Sequence, residues 1–382
     1  MEFGWAPEER DYRRDLRKFV EAEVPKEWIA NPRQRPVVTP DDRTRTLSFN
    51  HKLASRGWLT SHWPREYGGS EASAWQHLIT GEELWSVGEP RGPQYMNVNW
   101  IGPAIMRHGS PEQKEYHLRE ISRGSVFWCQ GFSEPDAGSD LASLRTAAIR
   151  EGDTYVINGQ KIWTSHCQVA DWCVLLARTA RGEDPRAGIS IFLIPMTTPG
   201  IEVRRIPNYV EVGSLHEVFF TDVQVPVSNR LGEENEGWQI VRDALKNERV
   251  GAPRWERAAR MLDAVAIWAQ REGRFDDPAL VRRLGEAKAA CEVARLLAYR
   301  VIDARAKGIS TSGMASVSRV ATARADRLVG DAAMEAYGTR GLIAGSAPDA
   351  FWWQALAAGV AGGSYEIQLN LISHQAMQLP AK

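Results

Sequence analysis

The sequence predicts an α+β fold in three successive parts: a helical N-terminal domain (1–125), an all-β middle domain (126–235) and a C-terminal four-helix bundle (236–382). Three observations carry that expectation. Apolar residues recur at three- and four-residue spacing up to about Arg123. From Val126 the texture changes to short β-branched and aromatic runs separated by Gly, Pro and Asp. From Gly237 the helical period returns.

The elements follow in order. Pro7-Glu8-Glu9 is a helix-start signature, and it places Tyr12, Leu16, Phe19 and Val20 on one face. Turn clusters at Tyr67-Gly68-Gly69-Ser70 and Gly109-Ser110-Pro111 break the helical stretches that come next. Tyr155-Val156-Ile157, Asn158-Gly159 and Lys161-Ile162-Trp163 then predict a β-hairpin, because Asn-Gly suits the positive φ angles of a type I′ turn. Further strands are expected at 172–176, 189–193 and 217–220. In the last part, Met261, Leu262, Val265 and Trp268 form one helical stripe, and Leu284, Ala287, Cys291, Ala294 and Leu297 form a second. Stretches near 314–337 and 364–378 complete the bundle.

Composition narrows the function. With 43% hydrophobic and 25% charged residues the chain is not generally disordered, and at 382 residues it is long enough for two or three domains. A net charge of −1 leaves no basic footprint for nucleic acid. Cys129, Cys167, Cys173 and Cys291 form no CxxC pair, and the eight His have no metal spacing, so no metal is expected. The start lacks a signal-peptide pattern, and no apolar run reaches the roughly 18–20 residues of a membrane helix. A soluble, cytoplasmic protein without membrane insertion is the expectation. There is no Walker motif, GxSxG elbow or GxGxxG; Gly338-Thr339-Arg340-Gly341 fails that last spacing and follows a helix.

Two pieces of sequence carry chemistry. Gln130-Gly131-Phe132-Ser133-Glu134-Pro135-Asp136-Ala137-Gly138-Ser139-Asp140-Leu141 is a polar, turn-rich loop directly after the apolar Val126-Phe127-Trp128-Cys129. Lys161-Ile162-Trp163-Thr164-Ser165 closes the expected hairpin and delivers an aromatic ring beside two hydroxyls. A flat, polar-edged cofactor ring would find there an aromatic face and hydrogen-bonding groups for its rim.

As strings, these pieces resemble the flavin-binding signature and the second flavin-contacting strand of the acyl-CoA dehydrogenase family. Further matches run in order through Gly57-Trp58-Leu59, Trp63-Pro64-Arg65-Glu66-Tyr67-Gly68-Gly69, residues 217–226 and Glu366-Ile367-Gln368, so the resemblance covers almost the whole chain. It implies that family's fold, with FAD as cofactor and an acyl-CoA, or a carrier-protein-bound acyl group, as substrate. It also implies an electron-transfer flavoprotein as electron acceptor, and a homodimer or homotetramer, with a heteromer as a further possibility. By position, Phe132 and Ser133 would meet the pyrimidine edge of the flavin, Trp163 and Thr164 would lie beside the ring, and Ser165 would bond near N5. Ser139 matches a position at the pantetheine arm of the acyl-CoA. Gly338 and Gly341 match a segment reaching the adenosine end from a neighbouring subunit, and Ser364, Glu366 and Gln368 match positions near the FAD.

The family's reaction needs a carboxylate to take the α-proton of a thioester, with donors at the thioester oxygen to stabilise the enolate. The common Glu before the last helix falls here on Gly362 of Ala361-Gly362-Gly363-Ser364-Tyr365, so that side chain is missing while its backbone N–H is kept. A subset of the family places the base immediately before an Arg on another helix. Leu245-Lys246-Asn247-Glu248-Arg249 has that arrangement, which makes Glu248 the candidate base and Arg249 a candidate substrate contact. The family's pyrophosphate Arg is not cleanly present: Arg271 and Arg274 are rivals, and Leu369 stands where an Arg is common. Some bacterial members with a similar Gly-Gly-Thr string act on bulky fatty-acyl or steroid side-chain thioesters. Two alternatives share the fold: a flavin monooxygenase or oxidase that needs no α-proton base, and a non-catalytic subunit of a heteromeric dehydrogenase.

Overall fold

The computed structural model describes residues 5–30, 35, 37–209, 215–248, 253–311 and 313–380, with the side chains of 244–248 outside that description. The chain packs as two compact units. One is built from Met1–Arg35, Ala72–Pro90 and Arg249–Lys382, the other from Pro36–Glu71 and Arg91–Glu248. The helical first third therefore contributes to both.

The first unit is helical throughout its described residues. Pro7–Glu23 starts on its proline and buries Leu16, Phe19 and Val20, as the sequence predicts. Ser73 and Gln76 form a capping box for Ala74–Trp85. Trp255–Arg271, Pro278–Ala306 and Met314–Tyr337 share a core that includes Ala287, Ala294, Ala325, Ala332 and Ala336. Such small side chains shorten the distance between helix axes. Tyr365–Gln375 supplies the expected last helix. Ala347–Ala357, capped by Ser346, is an additional helix that the periodicity did not reveal, and its Phe351 and Ala355 enter the same core.

The second unit holds the sheet. Its strands are β1 (Trp128–Gly131), β2 (Ala147–Glu151), β3 (Thr154–Ser165), β4 (Trp172–Arg178), β5 (Ile189–Pro195), β6 (Ile201–Arg205), β7 (Leu215–Pro226) and β8 (Arg230–Leu231). Their order is β6-β7-β3-β2-β4-β5-β8, with β1 pairing parallel to β4 off that path. Tyr155, Ile157, Leu175, Phe192, Val223 and Val225 build its core.

The expected hairpin at Asn158-Gly159 does not form. β3 runs straight through both residues, and the tight turn lies six residues earlier, at Gly152-Asp153 between β2 and β3. Pairing on both sides overrides the local turn preference: β3 joins β2 along its first half and β7 along its length. Asn158 instead exchanges two 2.9 Å bonds with Asp222 of β7 at a local register shift. Gly159 is required by proximity, since a Cβ there would stand 2.4 Å from Thr146 Oγ1.

Helices complete this unit. Pro40–Ser55 is capped by Thr39 and Asp42. Gln94–Met96 and Gly102–His108 flank Asn97–Ile101, a stretch wound with the wider π-type turn. Gly237–Glu248 follows the sheet.

Candidate functional site

The two chemistry-bearing strings meet. β1 leads into the loop in parallel register with β4, and Lys161 of β3 reaches under it. Lys161 Nζ donates to Glu134 Oε1 at 2.7 Å and to the Phe132 carbonyl at 3.0 Å. The lysine side chain is 0% exposed and the glutamate 8%. Glu134 also accepts from the backbone N–H groups of Arg145 (2.6 Å) and Thr146 (2.9 Å). Ile162 N–H donates to the Ser133 carbonyl at 2.9 Å. Burial pushes the Lys161 ammonium down to about 8, against the pull of Glu134. Burial also raises the Glu134 carboxyl, but Lys161 and the Thr146 and Arg145 donors outweigh it and leave Glu134 below its ordinary value. The pair is therefore charged at neutral pH, and it clamps the Phe132–Ser133 peptide to the strand.

Just beyond the clamp the strand bulges. Lys161 pairs with Val218 and Thr164 with His216, so β3 spends one residue more than β7. Trp163 sits in that bulge at φ 60° with its ring 56% exposed. It is the one exposed tryptophan among the described residues. A left-handed backbone is costly for a bulky aromatic, and such strain persists where the surroundings impose it, often at functional sites. Thr164 turns back into the core at 1% exposure, and its Oγ1 has no hydrogen-bond partner among the described residues. Phe132 is buried, while Ser133 and Ser165 are half-buried. An uncovered ring, a buried hydroxyl awaiting a partner and two serines at the loop–strand junction fit a flat ring with polar edges.

Nearby, an apolar cavity is lined by Trp100, Ile101, Phe132, Leu231, Ile240 and Val241, among others. Trp100 comes from the π-wound stretch, and its Nε1 donates to Gln130 Oε1 at 3.1 Å, which ties this wall to the start of the loop. Ile240 and Val241 belong to the helix that ends at Glu248. Glu248 closes that helix with its side chain outside the described residues, and Arg249 lies outside them altogether. Ser139 is exposed on the loop.

The remaining candidates belong to the helical unit. Gly362 and Gly363 both take left-handed angles, φ 71° and 93°. Ser364 caps the last helix by accepting from Ile367 N–H at 3.3 Å. Gln368 is buried, and its Nε2 donates back to the Gly362 carbonyl at 3.3 Å. Glu366 is exposed. Gly338 follows Met314–Tyr337 at φ 55°, and Gly341 is buried in the turn after it. Of the two rival arginines, Arg274 is engaged inside the fold, where Nη1 donates to the Ala336 carbonyl at 2.8 Å. Arg271 is exposed.

Lys161 and Glu134 lie within the two chemistry-bearing strings, but their pairing is a finding of the structure. The available signal was a lysine among alternating apolar strand positions, with an acid in the facing loop. The bond between Trp100 and Gln130 left no such signal.

Known proteins share this fold and its domain order. The chain matches the acyl-CoA dehydrogenase N-terminal domain over residues 6–125, the middle domain over 129–223 and the C-terminal domain over 235–377. It is 33% identical over 342 residues to acyl-CoA dehydrogenase IpdE1 of Mycobacterium tuberculosis, covering 87% of this chain and 88% of that protein. The solved structure of the Tcur3481-Tcur3483 steroid ACAD aligns with a TM-score of 0.91 at 28% identity, covering 100% of both chains. The ChsE4-ChsE5 complex from Mycobacterium tuberculosis aligns with a TM-score of 0.86 at 31% identity, again covering 100% of both. With all three domains matched in order, this chain belongs to the acyl-CoA dehydrogenase family and is a flavin-dependent oxidoreductase.

Proposed function

We propose that this chain is an FAD-dependent acyl-CoA dehydrogenase that makes a trans-2-enoyl thioester and passes the electrons to an electron-transfer flavoprotein. Trp163 is the observation that carries the proposal: an exposed aromatic held at φ 60° beside a clamped loop is a costly arrangement that a bound ring would justify. Phe132, Ser133, Trp163, Thr164 and Ser165 would hold the flavin. Arg271, Gly338, Gly341, Ser364, Glu366 and Gln368 would serve the rest of the FAD. Ser139 and Arg249 would meet the CoA portion of the substrate.

When bound, the flavin supplies the acceptor for the β-hydrogen, which leaves as hydride. The chain must take the α-proton. Glu248 is assigned as that base; it closes the helix whose Ile240 and Val241 line the apolar cavity. An α-proton is too weakly acidic for a carboxylate unless the thioester oxygen is held by donors as charge builds on it. Gly362, which has no side chain to act as base, supplies its N–H for that task.

Steroid side-chain thioesters are the first substrates to try, because the Tcur3481-Tcur3483 neighbour is a steroid ACAD. Assembly with a second, related chain is the first oligomer to test, since that neighbour and ChsE4-ChsE5 each join two different chains. The four cysteines are free and buried, which suits the cytoplasm. Among the described residues, no helix is long and apolar enough to cross a membrane.

The test is anaerobic titration of the purified protein with a panel of acyl-CoA thioesters, following flavin absorbance, with the released cofactor identified chromatographically. Bleaching by one class of thioester and loss of bleaching in Glu248→Gln are expected. A Glu248→Gln protein that bleaches at the wild-type rate would remove the base assignment. Oxygen uptake with a hydroxylated product would replace the dehydrogenase by an oxygenase.

A further inference from the structure

We propose that Arg319 is a positioning residue, which fixes the Gly362–Gly363 turn from inside the helical unit so that the Gly362 N–H is held as an aimed donor. This rests on the dehydrogenase function proposed above.

Two consecutive glycines at φ 71° and 93° form the most freely rotating link a chain can contain. A donor that stabilises developing charge must be set before the reaction begins, because its advantage lies in needing no reorganisation. Something must therefore hold this link. Arg319 lies within the helix Met314–Tyr337 and is 9% exposed. Its Nη2 donates to the carbonyls of Ala358 and, at 2.7 Å, of Ala361, the residue next to Gly362. From the other side, Gln368 Nε2 donates to the Gly362 carbonyl at 3.3 Å. The turn is thus held on both flanks.

The helix that carries Arg319 is tied down in turn. Asp326, two turns further along the same helix, is 0% exposed and faces Arg257 at 3.4 Å. Arg257 Nη1 reaches Gln354 Oε1 at 3.5 Å, and Gln354 belongs to Ala347–Ala357, the helix that runs into the turn. Burial raises the Asp326 carboxyl, and the charges of Arg257, Arg319 and Arg254 oppose that rise. The buried pair of Asp326 and Arg257, with Gln354 beyond it, therefore ties the helix that carries Arg319 to the helix before the glycines. Ordinary capping of Ala347–Ala357 would need only a donor at its last carbonyls. A single terminal NH2 group, fixed in the guanidinium plane and donating to the carbonyls of both Ala358 and Ala361, restrains the direction of the chain as well.

The test uses the flavin-loaded protein carrying Arg319→Lys, which keeps the charge but loses the longer, planar NH2 group that reaches both carbonyls, and Arg319→Met as a second variant. Positioning predicts that kcat falls by a factor of about 10–100 while KM stays within about threefold. A thioester analogue that can be deprotonated at the α-carbon but not oxidised supplies a second readout. Its deprotonation, seen as long-wavelength flavin absorbance, should move up by about one to two pH units in Arg319→Lys, the same factor expressed as acidity. A mere helix cap would lower the melting temperature and leave both kcat of the folded protein and the analogue's titration at wild-type values; that result would overturn the proposal. The acyl-CoA titration of the wild type separates the two claims. If no thioester bleaches its flavin, the dehydrogenase function itself fails; if the wild type turns over and Arg319→Lys behaves like it, only the role of Arg319 fails.

Discussion

Lys161 is wholly buried and donates to Glu134 across 2.7 Å, joining the loop to a strand 27 residues later. Removing the lysine as Lys161→Met leaves a buried carboxylate with only its backbone donors, and breaking such a pair costs about 3 kcal/mol. The alkaline side adds a signed test. Folded Lys161 loses its proton near pH 8, whereas its ordinary value is 10.5. Between those values the unfolded chain binds more protons, so the wild type gains stability as pH rises. The gap between wild type and Lys161→Met should widen by roughly 3 kcal/mol across that window and stay flat below pH 8. Chemical unfolding at a series of pH values measures it, and a flat difference throughout would show that Lys161 is not held charged against burial.

Trp163 separates stability from binding. Replacing it by glycine relieves a left-handed strain of roughly 1–2 kcal/mol and adds a glycine entropy cost of about 0.5–1 kcal/mol. With the ring 56% exposed, little packing is lost. Flavin-free Trp163→Gly should therefore unfold no more easily than wild type, while its flavin affinity drops. A destabilisation beyond about 2 kcal/mol in the flavin-free protein would mark Trp163 as a packing residue instead.

Periodicity and turn residues point to the main helices and to β3, β4, β5 and β7, because burying one stripe or one face leaves a repeating mark; the shorter β1, β2, β6 and β8 and the helix Ala347–Ala357 were not among the elements expected. What they missed depends on partners distant in sequence. Asn158-Gly159 has the local chemistry of a turn, yet β2 and β7 flank it and Thr146 presses on Gly159, so the strand continues. Lys161 and Arg319 look like surface cations until a facing carboxylate or carbonyl is known. The loop and Trp163 were legible as a ring-binding pattern. The bulge that turns Trp163 outward was not, because it arises from a mismatch in count between two strands.

Two buried histidines should govern acid sensitivity. Burial lowers His117 to about 4. Burial also lowers His166 to about 4, with a hydrogen bond to the Val37 backbone opposing and His216 assisting. Both are neutral in the fold at pH 7. As pH falls below their ordinary value of 6.5, the unfolded chain takes up protons that the fold refuses until about pH 4. Each therefore contributes roughly 3 kcal/mol of stability above pH 6.5 that is lost towards pH 4. His117→Phe keeps the edge-on packing against Trp128 and Trp172 without a titrating group. His166→Asn suits the left-handed φ of 60° at that position. Each variant should move the acid-unfolding midpoint to lower pH, and an unchanged midpoint would place the acid sensitivity elsewhere.

Arg271 and Arg274 can be told apart by opposite failures. Arg274 donates to the Ala336 carbonyl at 2.8 Å, near the end of Met314–Tyr337, where a cation also meets the negative end of the helix dipole. Arg274→Gln should destabilise the flavin-free protein by about 1–2 kcal/mol. Arg271 is exposed, so Arg271→Gln should change stability by no more than about 0.5 kcal/mol. If Arg271 meets the FAD pyrophosphate, Arg271→Gln should weaken FAD and flatten the salt dependence of its binding, since a charge contact is lost. Riboflavin lacks the pyrophosphate, and its affinity should not change. FAD titrations of both variants at low and high salt decide the matter. If both Arg271→Gln and Arg274→Gln bind FAD like wild type, no arginine of the segment 270–277 meets the pyrophosphate.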